Sequence, residues 1–302
     1  MTGNYRAEDS NRITREYFDS LLIEMRHIDA VLADTSLHLF GETFSTPIMT
    51  AALSHLDKFG YHNDGMVELA KGAKAANAVY WSGMGSEDEL KRVTSTGART
   101  IKILKPEANN DIIFRGIAHA EACGCIAVGM DLDHAFNRRG EYDLVDSLPM
   151  RPKSLDEVKS FVNATKLPFI IKGVLSIQDA LKCVEAGIQG IVVSHHHGIM
   201  NYAIPPLMIL PDIVKAVAGK MYVFVDCGFE SGYDAFKALA LGATAVSAGR
   251  SLLSPLSKGG AEGAKTTILN MTAELAGVMA RTCTENIKNI DPSLVYNTQR
   301  WG

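Results

Sequence analysis

The chain has 302 residues, of which 47% are hydrophobic and 21% charged, with a formal net charge of −4 at pH 7. This balance is typical of a globular protein, gives no indication of nucleic acid or an anionic membrane as a partner, and contains no apolar run near the roughly 20 residues that span a bilayer. Five cysteines without a C-x-x-C pair, and a polar amino terminus without a secretory signal, predict reduced thiols and a cytoplasmic protein.

Apolar residues at helical spacing over 14–26 and 28–34 predict one or two helices near the amino terminus, after a loose arm at 1–12. Strand-length apolar runs then alternate with helical segments. Strands are predicted at 47–51, 78–82, 100–104, 126–130, 169–172, 190–193, 222–225 and 243–247. Helices are predicted at 65–76, 87–95, 111–123, 155–165, 176–186, 211–218, 232–241 and 263–283. This alternation requires a parallel sheet, and eight units predict a closed (β/α)₈ TIM barrel in a single domain.

Polar side chains stand where several of these strands end. Asp131 follows the strand at 126–130, Lys172 ends the next one, and Asp226 follows the strand at 222–225. Ser194 and three consecutive histidines follow the strand at 190–193. Since the carboxyl ends of parallel strands form the ligand-binding face of such folds, we expect these groups to converge on one site.

Several stretches resemble the FMN-dependent α-hydroxy-acid oxidase and dehydrogenase family, which includes glycolate oxidase and flavin lactate dehydrogenases. They are IIKGV at 170–174, VEAGIQGIVVSHHHG at 184–198 and VDCGFESGYDAFKALALGATAVSAGR at 225–250, with fainter matches in TPIMTAAL at 46–53 and STG at 95–97. The resemblance implies an FMN-binding barrel at 41–302 after an amino-terminal arm and helices at 1–40. It implies an oxidoreductase that oxidises a 2-hydroxy acid or a related hydroxy compound, and a homo-oligomer, namely a tetramer.

The resemblance also implies three catalytic residues. His196 is the base toward the substrate hydroxyl or its carbon, Asp131 orients that histidine, and Lys172 stabilises the electron density that the flavin gains on reduction. Without the resemblance, Lys172 would be interpreted as a salt-bridge partner. The histidines at 195–197 would be interpreted as a solvent-facing loop or a metal patch. Three successive residues do not turn easily to one ion, so no metal site is predicted.

Cofactor contacts are implied at strand ends and in the loops after the seventh and eighth strands, where such barrels commonly hold phosphate. They are Ala51, Ala52, Ser82, Lys102, Lys172, Ser194, Asp226, Gly228, Gly249 and Arg250. For the substrate, the resemblance implies contacts from His196 and from Arg138 and Arg139, which would hold its carboxylate. Tight-turn glycines and surface arginines are the simpler interpretations of the same residues.

The chain departs from the family pattern at several positions. Ile199 replaces a carboxylate-binding arginine, Cys227 and Glu230 alter the phosphate loop, and Lys102 and Leu104 stand where the family has a glutamine and a tyrosine. About a dozen residues separate Tyr142 from the helix predicted at 155–165, where the family has a long mobile lid. Glu230 near the phosphate predicts weaker FMN binding. The lost arginine–carboxylate contact and the gained apolar surface predict a larger or less charged substrate than glycolate or lactate.

Two other functions remain open on the sequence alone. Type 2 isopentenyl-diphosphate isomerase also resembles this barrel, uses FMN and performs no net oxidation. Its diphosphate substrate needs a basic pocket, which Lys102, Lys105, Arg138 and Arg139 could supply. A flavin-free barrel that binds a metabolite is the second alternative, because a fold does not determine a function.

Overall fold

The structure is a computed structural model that describes residues 6–57 and 63–298. Eight parallel strands form the barrel, and we number them β1 to β8 in chain order. They are β1 Ile48–Thr50, β2 Tyr80–Ser82, β3 Thr100–Leu104, β4 Ala127–Asp131, β5 Phe169–Val174, β6 Gly190–Val193, β7 Tyr222–Val225 and β8 Ala245–Ala248. The hydrogen-bonded order is β1-β8-β7-β6-β5-β4-β3-β2. The seam between β1 and β2 is closed by a hydrogen bond from the Thr50 amide to the Val79 carbonyl (3.2 Å) and a bridge between Leu53 and Ser82. The predicted (β/α)₈ barrel is confirmed.

The helices surround the barrel and follow the predicted alternation. They are α1 Ser10–Ser20, α2 Gly65–Ala75, α3 Glu87–Ser95, α4 Asn110–Ala122, α5 Leu155–Asn163, α6 Ile177–Glu185, α7 Pro206–Val217, α8 Gly232–Ala240 and α9 Arg250–Ala280. Ser86, Ser154 and Ser176 accept hydrogen bonds from backbone amides at the amino termini of α3, α5 and α6, where serine is a favoured cap. None of the helices in the described ranges has the length and apolar character needed to cross a membrane.

The amino-terminal predictions are partly wrong. Helix α1 begins at Ser10, inside the arm predicted at 1–12, and ends at Ser20 instead of continuing to residue 26. The chain then forms a short strand, Leu21–Ile23, that pairs antiparallel with Val295–Asn297 near the other end of the chain. Residues 1–5 of the predicted arm lie outside the described residues. The long-range strand pairing overrides the local helical pattern here, and the spacing of apolar residues does not indicate such a pairing.

The helix predicted at 28–34 is also wrong. Asp29 has a φ of 62°, which a right-handed helix does not accommodate, and the segment has no helical turn. Ile28 and Leu32 are 89% and 93% exposed, so the apolar spacing does not mark a face buried against the barrel.

Two later helices begin earlier than predicted. Helix α7 starts at Pro206 instead of residue 211, because a proline is well tolerated in the first turn of a helix. Helix α9 starts at Arg250 instead of residue 263, with an interruption at Gly260, where φ is 53°. The early start matters for function, since it places a helix amino terminus directly after β8.

Strand register determines which side chains face the barrel interior. Lys172 is paired with Asp131, and Ile103 is paired with Gly129, two residues before Asp131, so all four lie on one face of the sheet. Lower in the barrel this face is packed with Trp81 and Phe224, whose ring centroids lie 5.5 Å apart in an edge-to-face arrangement. Lys172 and Asp131 therefore sit above a filled core, at the open carboxyl end of the strands.

Candidate active site

Lys172 is the buried centre of the site. Its Nζ lies 3.3 Å from Asp131 Oδ1, 3.5 Å from Asp226 Oδ2 and 3.2 Å from His196 Nδ1. Burial alone would lower the pKa of Lys172, but the two aspartates outweigh burial and raise it. The lysine is therefore a fixed positive charge at the carboxyl end of β5.

Asp131 is held ionised by two lysines. Its Oδ2 accepts a hydrogen bond from Lys105 Nζ at 2.8 Å, while Oδ1 faces Lys172. Burial opposes the charged form, but Lys172 and then Lys105 lower the pKa of Asp131 well below its ordinary range. Oδ1 is buried and has no hydrogen-bond partner among the described residues.

His196 sits over this cluster in a left-handed backbone conformation, with a φ of 47°. Its amide donates to Ser194 Oγ at 2.9 Å, which fixes the turn after β6. Its Nδ1 lies 2.9 Å from Asp133 Oδ1 but 3.8 Å from Asp131 Oδ1. The carboxylate in hydrogen-bonding range of His196 is therefore Asp133, which the sequence analysis missed, instead of the predicted Asp131. The feature that could have indicated Asp133 is its place as the second acid of the stretch D-L-D-H at 131–134.

Gly173 allows Asp133 to occupy this place. Gly173 has a φ of 90° and lies at a register shift in β5, and a Cβ there would be 2.4 Å from Asp133 Cγ. A side chain at residue 173 would displace the carboxylate that holds His196. The glycine after the strand lysine is thus required by close packing across the site.

His134 also contacts His196, which the sequence did not indicate. Its Nε2 lies 3.2 Å from His196 Nε2, and its Nδ1 lies 3.3 Å from Asp143 Oδ2. Burial, then the positive charge of Lys105, lowers the pKa of His134. A neutral imidazole therefore covers the nitrogen of His196 that points away from Asp133.

The other two histidines of the run have structural contacts. His195 is 2% exposed, and its Nε2 lies 2.7 Å from Thr14 Oγ1 on α1. His197 Nδ1 lies 2.7 Å from Asn11 Oδ1 on the same helix. Of the three, His196 is the one whose ring reaches the buried aspartates and Lys172.

A cleft extends from this cluster to the amino terminus of α9. Its lining includes most of the predicted cofactor residues, namely Ala51, Ala52, Lys172, Asp226, Gly228, Gly249 and Arg250, together with His196. Gly228 has a φ of 91°, and a Cβ on Gly249 would lie 3.2 Å from the Ala51 Cβ, so side chains at either glycine would crowd the cleft or strain the loop. Free amides at the start of α9 and the Arg250 guanidinium make this end suitable for a phosphate.

These residues fit FMN. Lys172 would lie at the flavin ring, Asp226 beside the ribityl chain, and the Gly228 and Gly249–Arg250 loops at the phosphate. Ser194 is placed differently from the prediction, because its Oγ accepts from the His196 amide and lies 3.6 Å from Cys227 Sγ. Ser194 therefore holds His196 and the loop after β7 in place, and it is not part of the cleft lining.

Two predicted cofactor residues lie away from the cleft. Lys102 is paired with Val128, which is three residues from Asp131 along β4, so its side chain is on the opposite face of the sheet. Its Nζ bonds the Gly83 carbonyl, and burial lowers the pKa of Lys102 to about 8. Ser82 is paired with Lys102 and shares that face. The prediction is wrong because it followed strand ends without strand register.

The predicted carboxylate anchors are also placed elsewhere. Arg138 and Arg139 are exposed in the loop after β4, and neither forms an ion pair within the described part of the chain. Leu104 is paired with Met130 and faces the helices with Lys102, so it is not part of the pocket wall. The lysine that reaches buried Asp131 from the end of β3 is Lys105.

The altered phosphate loop keeps its shape around Cys227. Cys227 has a φ of 71°, a conformation that favours glycine, and its thiol donates to Asp226 Oδ1 at 3.0 Å. Glu230 is exposed, lines the cleft, and forms no ion pair with Lys237 or Arg250. Its carboxylate therefore remains a source of repulsion at the phosphate end.

Comparisons with known proteins agree with this geometry. A family model described as FMN-dependent dehydrogenase matches residues 1–156 and 150–297. The chain is similar to a peroxisomal (S)-2-hydroxyacid oxidase of Arabidopsis thaliana, with 30% identity over 92% of this chain and 86% of the relative. It is 28% identical to an L-lactate oxidase of Lysinibacillus sphaericus (strain C3-41), over 94% and 85% of the two chains. A crystal structure of mandelate oxidase superimposes with a TM-score of 0.87 and 26% identity, covering 97% of this chain and 91% of the other.

The lowered pKa of His134 generates a prediction. An unfolded histidine binds its proton near pH 6.5, whereas folded His134 resists protonation, so its contribution to stability is present above that pH and lost as the pH falls. In urea titrations, we expect the free energy of unfolding to fall less between about pH 7.5 and about pH 5.5 in His134→Gln than in the parent protein. Lys105→Met should raise the pKa of His134 in an NMR titration, because Lys105 contributes to the lowering. An unchanged His134 pKa in that variant would contradict the arrangement described above.

Proposed function

Because the chain belongs to the FMN-dependent dehydrogenase family, we propose that His196 is the base with which this oxidoreductase oxidises a 2-hydroxy acid. The observation that carries the proposal is the position of His196. It contacts Asp133 and Lys172 beside a cleft whose far end is built to hold a phosphate. A carboxylate on one ring nitrogen leaves the other nitrogen free to accept a proton.

Each group at the site has a separate role in the reaction. FMN, when bound, supplies the acceptor for the two electrons that leave the substrate carbon. His196 accepts the proton of the substrate hydroxyl at Nε2, where His134 now lies at 3.2 Å, so the hydroxyl takes the place of the His134 ring. Asp133 and Asp131 stabilise the resulting imidazolium through Nδ1. Lys172 keeps a fixed positive charge at the flavin end of the site.

The geometry does not support the diphosphate isomerase. That alternative needs Lys102, Lys105, Arg138 and Arg139 to form one basic pocket. Lys102 lies on the outer face of the sheet, Arg138 and Arg139 are exposed in a loop, and Lys105 alone reaches the site. The four cations therefore do not converge on one anion.

We propose that the substrate is larger than glycolate or lactate. Ile199 stands where the family has an arginine, and the connection between β4 and α5 carries Phe136 and Tyr142, which are 44% and 59% exposed and have ring centroids 5.7 Å apart. The same connection carries His134 and Asp143, so these aromatic rings belong to a loop that touches the site. Similarity to mandelate oxidase supports an aromatic 2-hydroxy acid.

We also propose that the protein is cytoplasmic and forms a homo-oligomer, namely a tetramer. All five cysteines are free thiols, which supports a reducing compartment, and fluorescence microscopy of a tagged chain tests the location. Exposed apolar side chains at Leu22, Met25, Ile28 and Leu32 support contact with a second copy of the chain. Sedimentation velocity measures the assembly, and a monomer at micromolar concentration would contradict it.

The first prediction of this function concerns the cofactor. We expect the purified protein to be yellow or to become so with added FMN, and FMN to raise the melting temperature because it binds the native state. Arg250→Ala should weaken FMN binding by about 10- to 100-fold, the range of a charge-assisted bond. Arg281→Ala, at the other end of α9, is the control and should leave affinity unchanged. A protein that stays colourless and is not stabilised by FMN would refute the cofactor assignment.

The second prediction concerns the base. His196→Ala should retain FMN but slow anaerobic reduction of the flavin by substrate by roughly 10²–10⁴-fold, the usual contribution of a general base. His38→Ala, an exposed histidine on the Leu37–Leu39 strand, is the matched control. Equal reduction rates in His196→Ala and the parent would assign the base to another residue, with His134 the first to test.

The third prediction concerns substrate size. Mandelate should reduce the flavin with a kcat/KM about tenfold or more above that of glycolate or lactate, because burial of apolar surface favours the larger acid by about 0.8 kcal/mol per CH₂. Stopped-flow absorbance measures all three acids under the same anaerobic conditions. Rapid reduction by micromolar glycolate would show this interpretation to be wrong.

A further inference from the structure

Oxidation of a 2-hydroxy acid requires that the substrate carboxylate be held beside His196. The three cations considered so far do not meet this need. Arg138 and Arg139 are exposed in the loop after β4, and Lys172 already faces Asp131, Asp226 and His196. A negatively charged substrate therefore needs another positive group at the mouth of the barrel.

Lys105 has the required position. It lies directly after β3, two residues beyond Ile103, whose side chain faces the interior, and it shares that face. Its Nζ is 2.8 Å from Asp131 Oδ2, and its side chain is 10% exposed. Lys105 and Lys172 thus approach Asp131 from opposite neighbouring strands.

Lys105 also lies within electrostatic range of His134. Its positive charge is the second-largest cause of the lowered pKa of His134, whose ring touches His196. A substrate that places its hydroxyl on His196 Nε2 and displaces the His134 ring brings its carboxylate toward this ammonium. The distance between the hydroxyl and the carboxylate of a 2-hydroxy acid is short, so both groups must be served by neighbouring side chains.

The donor capacity of Lys105 is not used up. An ammonium group has three donors, and within the described ranges the Lys105 ammonium spends one of them, on Asp131. Two donors remain for a substrate oxygen. Lys172, in contrast, is enclosed by three polar neighbours deep in the barrel.

We propose that Lys105 is the substrate-binding residue that holds the carboxylate, and that it makes the enzyme prefer acids to their neutral derivatives. This proposal rests on the proposed function and specifies its substrate contact. An ammonium is a point charge without the paired donors of a guanidinium, so it restrains the orientation of the carboxylate less than an arginine does. The site then accepts acids whose remaining part is oriented by apolar contacts.

The test compares an acid with its amide on the FMN-loaded enzyme. We expect mandelate to reduce the flavin with a higher kcat/KM than mandelamide in the parent protein. Lys105→Met should lower kcat/KM for mandelate by about 10- to 100-fold, mainly through KM, and change the value for mandelamide by less than about threefold. Lys105→Arg should keep the preference for the acid, and Lys166→Met, an exposed lysine after α5, should behave as the parent.

Binding gives a readout that does not depend on turnover. Benzoylformate, the 2-oxo acid that corresponds to mandelate, should perturb the flavin spectrum of the parent and bind Lys105→Met about 10- to 100-fold more weakly. An equal loss for acid and amide would overturn the proposal, because it would mean that Lys105 acts through Asp131 and not on the carboxylate. A parent protein with equal efficiency for acid and amide would overturn it too, even if Lys105→Met failed to fold.

Failure of the proposed function gives a different result. A flavin that neither mandelate nor mandelamide reduces would refute the oxidation of these compounds. Benzoylformate binding that depends on Lys105 would then still support the carboxylate contact, and its absence would refute that contact as well.

Discussion

The buried charge cluster around Lys172 is the interaction on which the site depends. Removing charges from water costs free energy, and the cost is offset only when each charge faces a partner at short range. Asp131, Asp133 and Asp226 supply three carboxylates against the ammonium groups of Lys172 and Lys105, so one negative charge remains in excess. That excess faces His196, whose Nδ1 lies 2.9 Å from Asp133 Oδ1.

The barrel makes such a cluster possible because neighbouring strands deliver single side chains to one point. Asp131 and Lys172 are direct register partners on β4 and β5. The loops then add groups that the strands do not reach, namely His196 after β6 and Asp133 after β4. Gly173 has no side chain, and this leaves room for Asp133 to pack against β5, the strand that carries Lys172. Rigid strands therefore carry the fixed charges, while loops carry the groups that exchange protons or meet the substrate.

The sequence predicted the architecture well because it is repeated eight times. Each strand and helix of the barrel has its own apolar pattern, and errors at single boundaries do not change the count. Lys172, Asp226, Gly228, Gly249 and Arg250 were predicted because they lie near strand ends or in the loops that follow, in stretches that resemble a known family. The family assignment is confirmed by the matching family model, whereas the roles of the individual residues remain predictions.

What the sequence could not supply was geometry across the sheet. Lys102 and Lys105 both belong to the end of β3, and nothing in their spacing says which faces inward until the pairing with β4 is known. Asp133 and His134 follow Asp131 at once, yet their contacts with His196 depend on a turn after β4 and on a left-handed residue after β6. The amino-terminal pairing of Leu21–Ile23 with Val295–Asn297 joins the two ends of the chain, which local patterns do not report.

The place where the barrel closes has a consequence for biosynthesis. Strand β1 hydrogen-bonds to β8, and Ala51 and Gly249 lie side by side in the lining of the same cleft, although one lies early and the other late in the chain. During translation the early strands must wait, with one edge unpaired, until β8 emerges from the ribosome. The phosphate end of the cleft does not exist before that moment. FMN can therefore stabilise the finished barrel, because the site that it binds forms only when β1 and β8 pair.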